Sequence, residues 1–90
     1  MPKEPLKSIE SLRKKIDSID YKIIKLLGER FRVSYFIQKY KKARRIAVIQ
    51  KDREISHLKS LLKIASSEGL PKRMIELIYK RIFSHSRRVK

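Results

Sequence analysis

The chain is short of the residues that build metal and disulfide frameworks. Among its 90 residues there is no cysteine and no tryptophan, and there are two glycines, three prolines and two histidines. Without cysteine, neither a disulfide nor a thiolate zinc site can form. His57 and His85 are isolated in the sequence, so we expect no metal site. Scarce glycine and proline, without any strand-like alternation, favour an all-α fold.

Long apolar runs are also missing. No stretch approaches the roughly 20 apolar residues of a membrane span, and the N-terminus lacks the apolar core of a signal peptide. We therefore expect a cytoplasmic protein that does not enter a membrane. The length corresponds to a single domain over residues 1–90.

Negative charge is scarce as well. Lys and Arg number 25 against nine Asp and Glu, which gives a formal net charge of +16. Such a field attracts nucleic acid, acidic membrane surfaces or small anionic substrates. On charge alone, nucleic-acid binding ranks first among these.

What the chain does have is a long apolar stripe. Apolar residues recur at steps of three and four from Ile9 to Tyr40, which is typical of a helix with a buried seam. Two shorter stripes follow. The predicted elements are a lead-in at 1–7 and helices at about 8–45, 51–66 and 71–88.

The first predicted helix is too long for one small domain. About 37 residues make a helix about 55 Å long, which exceeds the diameter of a compact globule of this size. The two shorter helices cannot cover its whole seam, so part of its apolar face needs a second chain. A two-fold homodimer is the commonest solution, and a lone helical hairpin with a frayed end is the alternative.

Several polar side chains fall where the pattern predicts an inward face. Arg30 interrupts the seam, and Lys41, eleven residues later, lies about 20° from it around the helix axis. Arg13 is about 100° from Arg30 and would point elsewhere, such as into the partner chain's pocket. Ser86 takes an inward position on the third helix, and Lys90 follows at i+4.

Arg53 and Glu54 stand at the start of the second helix, just before the inward Ile55. Taken singly, each of these polar positions has an ordinary explanation, such as an exposed charge or a hydroxyl bonded to its own helix. Taken together, several cations on inward faces predict a pocket for a small polyanion.

These segments together resemble one known family. They are, in chain order, LRKKIDSID at 12–20, LLGER at 26–30, Lys41, QKDRE at 50–54, and the pair Ser86 and Lys90. The pattern is similar to that of the all-α (AroQ) class of chorismate mutases and covers about residues 6–90. The resemblance implies an intertwined homodimer of three-helix chains, without metal or cofactor. Such an isomerase converts chorismate to prephenate in phenylalanine and tyrosine biosynthesis, so nucleic acid is not expected as the partner.

The resemblance also implies a role for each matching residue. Arg13 would reach into the partner's site and bind one substrate carboxylate. Arg30 would bind the other carboxylate, with help from the hydroxyl of Ser86. Lys41 would contact the ether oxygen, and Glu54 would accept a hydrogen bond from the substrate hydroxyl.

Three further positions are less regular. Arg53 would support the anion-binding network. Gln50 stands where the family usually has an acidic residue, and Lys90 stands where Gln or Glu usually donates to the ether oxygen. Both side chains can still form hydrogen bonds, so these departures concern the ether-oxygen site and not the reaction class.

Two other functions stay open. A basic nucleic-acid-binding helical protein would explain the charge but not Arg30 inside the seam. An isochorismate-pyruvate lyase on the same scaffold would use a similar cationic pocket for a similar ligand, so the sequence does not separate it from a mutase.

Overall fold

The computed structural model describes residues 6–44 and 51–87, with side chains from residue 8 onward. Within those ranges the chain is α-helical and has no strand. The helices are α1, Leu6–Ala43; α2, Lys51–Ser67; and α3, Lys72–Arg87. The predicted all-α class with a very long first helix is confirmed. The predicted helix ends at 45 and 88 lie outside the described residues.

The chain divides into two compact units, a first unit of residues 1–32 and a second unit of residues 33–90. The assignment of residues 1–90 to one domain stays a prediction.

The turn between α2 and α3 is set by one glycine. Gly69 has a φ of 72°, a left-handed conformation that glycine adopts without steric cost. Two hydrogen bonds close the end of α2: Gly69 N donates to Ser66 O at 3.1 Å, and Leu70 N donates to Ala65 O at 2.9 Å. This pair of bonds is the Schellman motif, which satisfies carbonyls that the helix end would leave unpaired.

The starts of α2 and α3 follow from local sequence. Asp52 and Glu54 lie in the first turn of α2, where the positive end of the helix dipole stabilises negatively charged side chains. Pro71 precedes α3, and its carbonyl accepts a bond from Ile75 N at 3.3 Å. Proline suits this place because its fixed φ is helical and the missing N–H is not needed there.

The core of the second unit lies where α2 and α3 pack against each other. Its buried side chains are Ala65 of α2 and Ile75, Ile82 and Phe83 of α3. The apolar pattern marks three of these as inward. Phe83 is the exception, because it is buried beside the stripe and not on it.

The apolar stripe of the first unit is exposed within the single chain. Its large side chains keep between 42% and 63% of their surface accessible; they are Ile9, Leu12, Ile16, Ile19, Ile23 and Leu26. Among the described side chains from 8 to 32, none is buried. The first unit therefore has a helix with an apolar face but no core of its own.

Candidate active site

A groove lies between α2 and α3 in the second unit. Its lining residues are Lys51, Glu54, Ile55, Leu58, Lys80, Phe83 and Arg87. The groove encloses about 350 Å³. Small-molecule sites usually range from about 300 to 1,000 Å³, so this groove suits a compact ligand.

The lining of the groove combines apolar walls with an excess of positive charge. Ile55, Leu58 and Phe83 supply the apolar surface, while three cations surround a single carboxylate, that of Glu54. Apolar walls can enclose a carbon ring, and the excess cations favour an anion. The groove therefore combines apolar surface with a local excess of positive charge, which favours a small anionic ligand.

An ion pair crosses the groove from α3 to α2. Arg87 Nη2 donates to Glu54 Oε1, and the two side chains are 32% and 24% exposed. Within the described ranges, no residue donates a hydrogen bond to Glu54 Oε2. One carboxylate oxygen is therefore held by the protein, and the other keeps its accepting capacity.

Ser86 is bonded within its own helix. Its hydroxyl Oγ donates to the carbonyl of Ile82 at 2.9 Å. Its own carbonyl accepts from Gln38 Nε2 at 3.5 Å, a long bond that joins the second-unit part of α1 to α3. Because the hydroxyl hydrogen is directed at this carbonyl, donation to a ligand would require the hydroxyl to turn.

Two buried polar atoms beside Ser86 lack a hydrogen-bond partner among the described residues. They are Gln38 Oε1, an acceptor, and Arg87 Nε, a donor. A buried polar atom without a partner costs about 1–3 kcal/mol, so native proteins keep few of them. Among the described residues, hydrogen bonding where Gln38 meets the end of α3 is therefore incomplete.

Three described residues of the predicted set, besides Ser86, fall in the second unit. Glu54 lines the groove. Lys41 is half-buried near the end of α1, and Arg53 is exposed beside Glu54 on α2. Among the predicted residues that the structure describes, Glu54 is the one that lines this groove.

The other predicted residues lie in the first unit or outside the described residues. Arg13 is exposed and Arg30 is half-buried, both in the first unit. Gln50 and Lys90 lie outside the described residues. The convergence of all eight residues on one pocket therefore stays a prediction.

Sequence reasoning missed Arg87 and the aromatic cluster behind it. Tyr79 and Phe83 pack with ring centroids 5.8 Å apart, and the ring of His57 lies 6.5 Å from Tyr79 and 6.4 Å from Phe83. A signal was available: Tyr79, Phe83 and Arg87 stand at i, i+4 and i+8 and so share one helix face. Reading that second face of α3 would have placed Arg87 at the groove.

Fold and groove together define the class of protein. Within the described residues, it is an all-α protein with a cation-rich groove between two of its helices. No helix in the described part of the chain is long and apolar enough to span a membrane. Within the same ranges, no three His, Cys, Asp or Glu side chains are grouped so that they could hold a metal ion.

A family comparison identifies the particular group within this class. The family model described as chorismate mutase type II matches residues 12–90, and the chain belongs to that family. It is accordingly an isomerase whose reaction is the conversion of chorismate to prephenate. No curated protein matches the chain.

Proposed function

We propose that this chorismate mutase works as an intertwined homodimer in the cytoplasm and serves phenylalanine and tyrosine biosynthesis. The observation that supports the site is the groove in which Glu54 lies among Lys51, Lys80 and Arg87. A dianionic ring substrate with one hydroxyl needs this combination of cations, apolar walls and one hydrogen-bond acceptor.

The reaction determines what the site must supply. In the rearrangement one C–O bond of the substrate breaks while one C–C bond forms, and no atom enters or leaves. No nucleophile or proton transfer is required. The protein holds the flexible substrate in its compact reactive conformer and stabilises the negative charge that grows on the ether oxygen.

Within the second unit, three side chains take parts in this scheme. Glu54 accepts a hydrogen bond from the substrate hydroxyl and so fixes the orientation of the ring. Phe83 and the neighbouring apolar walls exclude water, which strengthens every charge interaction in the groove. Lys41 donates to the ether oxygen as a preorganised point charge.

The arginines bind the two substrate carboxylates. Their planar guanidinium groups match a carboxylate with two parallel hydrogen bonds. Arg30 binds one carboxylate with Ser86, and Arg13 binds the other from across the dimer. Arg53 supports this network.

Two remaining residues complete the ether-oxygen side of the site. Gln50 accepts or donates through its amide, and Lys90 supplements Lys41 as a donor.

The exposed stripe of the first unit supports the dimer. Six large apolar side chains there keep roughly half of their surface in water. Burial against a second chain would stabilise the assembly by roughly 1 kcal/mol for each of them, about half the value for full burial. A stripe of this length is a protein interaction surface and not scattered surface exposure.

The experiment that tests the function supplies purified protein with chorismate and, separately, with isochorismate. We expect prephenate from chorismate and no release of pyruvate from isochorismate. Pyruvate release without prephenate formation would instead identify the lyase alternative. Sedimentation of the same sample should give about twice the chain mass of 10.8 kDa.

A further inference from the structure

We propose that Arg87 is a positioning residue for Glu54 and that it also cancels the charge of this carboxylate. Arg87 holds the Oε1 atom of Glu54, so that the Oε2 atom of Glu54 faces the substrate hydroxyl. The inference rests on the proposed role of Glu54 in the mutase reaction, and it adds a residue that the sequence pattern did not single out.

The first argument concerns charge. A carboxylate in the groove attracts the hydroxyl of the substrate but repels its two carboxylates. An arginine bonded to that carboxylate removes most of the repulsion and leaves the accepting oxygen in place. Because Glu54 and Arg87 are largely shielded from solvent, at 24% and 32% exposure, their interaction is less screened than that of a surface pair.

The second argument concerns orientation. A glutamate side chain has three rotatable bonds, so a carboxylate without a partner samples several directions. The bond from Arg87 fixes Glu54 from the opposite helix, 33 residues further along the chain. A reacting group that is displaced by about 1 Å can lose about 100-fold in rate, so a fixed acceptor matters for catalysis.

Other cations in the groove do not replace this contact. Lys51 and Lys80 line the groove, but neither forms an ion pair with Glu54 in the part of the chain that the structure describes. Arg87 directly follows Ser86 in α3, and among the described residues its buried Nε atom has no hydrogen-bond partner.

A kinetic double-mutant cycle tests the inference. The four proteins are the wild type, Arg87→Gln, Glu54→Gln and the double variant, each assayed for kcat and KM with chorismate. Arg87→Gln alone should lower kcat/KM by about 10- to 100-fold. In the Glu54→Gln background, Arg87→Gln should lower kcat/KM by less than about 3-fold, because the amide of the new glutamine carries no charge that Arg87 could cancel.

Two further variants separate positioning from general effects. Arg81→Gln removes the same charge from an exposed position of α3 outside the groove, and it should leave kcat/KM unchanged in both backgrounds. Arg87→Lys keeps the charge but not the guanidinium geometry. It should return KM toward the wild-type value while kcat stays lowered.

Circular dichroism and thermal unfolding show that each variant is folded at the assay temperature. A wild type that forms no prephenate would overturn the proposed function, and this inference with it. An active wild type in which the Arg87→Gln and Glu54→Gln effects simply multiply would overturn the inference alone. An active, folded Arg87→Gln protein with wild-type kcat/KM would do the same.

Discussion

The two units of the chain differ in where their apolar surface goes. In the second unit, α2 and α3 bury Ala65, Ile75, Ile82 and Phe83 against each other. In the first unit, a regular apolar stripe stays exposed and no described side chain is buried. One unit completes a small core within the chain, while the other has the sequence of a core-facing helix without the core.

This difference shows that apolar periodicity predicts a face and not its partner. A helix face is specified by residues three and four apart, which are always close in sequence. What covers the face depends on contacts between distant segments or between chains. Two questions follow from this comparison: whether a second chain covers the stripe, and whether residues of the first unit are needed for catalysis.

The largest effect should follow from a charge placed in the stripe. Ile16→Glu puts a carboxylate into the proposed apolar interface, where an unpaired charge costs at least about 3 kcal/mol, or more than about 100-fold in the dissociation constant. We expect a chain that sediments as a monomer at micromolar concentration and has lost nearly all mutase activity.

Tyr21→Glu is the matched control for that experiment. Tyr21 is also a large exposed side chain of the first unit, but at 100° per residue it lies on the opposite side of the helix from Ile16. The Tyr21→Glu protein should remain dimeric and active. A dimer that tolerates Ile16→Glu as well as Tyr21→Glu would show that the stripe is not the interface.

The next effect concerns the two first-unit arginines. Arg13→Ala and Arg30→Ala should each be nearly inactive, because each removes a carboxylate clamp. If Arg13 serves the partner's site, mixed dimers of the two variants contain one site with both arginines intact. Activity should then return on mixing, measured after subunit exchange has been verified. No recovery in verified heterodimers would place both arginines in the same chain's site.

A smaller loss should separate the two candidate donors to the ether oxygen. Lys41 is half-buried on a helix, whereas Lys90 follows the described end of α3. Removing a preorganised donor typically costs about 100- to 1,000-fold, and we expect Lys41→Ala to lose that much in kcat/KM. Lys90→Ala should lose clearly less, and Lys90→Gln should stay active. Steady-state kinetics that show a near wild-type Lys41→Ala enzyme would remove Lys41 from this role.

The smallest effects should come from the two glycines and should have opposite signs. Gly69→Ala forces a left-handed conformation on a residue with a Cβ and should lower stability by about 1–2 kcal/mol. Gly28→Ala in α1 should raise stability by about 0.5–1 kcal/mol, because alanine loses less backbone entropy than glycine on folding. The new Cβ is tolerated, since it meets only the flexible end of Arg32 at 3.4 Å. Thermal unfolding measures both. A stabilising Gly69→Ala would mean that the turn relaxes away from its present φ.

Sequence predicted a groove residue where that residue stands beside the regular apolar pattern of a helix. Glu54 follows directly from its place at the start of α2, and it lines the groove. The spacing of Tyr79, Phe83 and Arg87 indicates a shared helix face, but it does not identify Glu54, 33 positions away from Arg87, as the partner across the groove. The pattern placed Ser86 inward, and its bond to the Ile82 carbonyl is the ordinary explanation that the sequence offered for it, a hydroxyl bonded to its own helix.

The sequence by itself determined the helices, the turn at Gly69 and the apolar face of α1. These depend on backbone conformation and on spacing over a few residues, which the chain encodes locally. Tertiary structure alone decided that α2 and α3 enclose a groove, that Phe83 is buried there and that Arg87 holds Glu54. The physical reason is that charge pairing and burial depend on distances between segments, and those distances are fixed only when the helices pack.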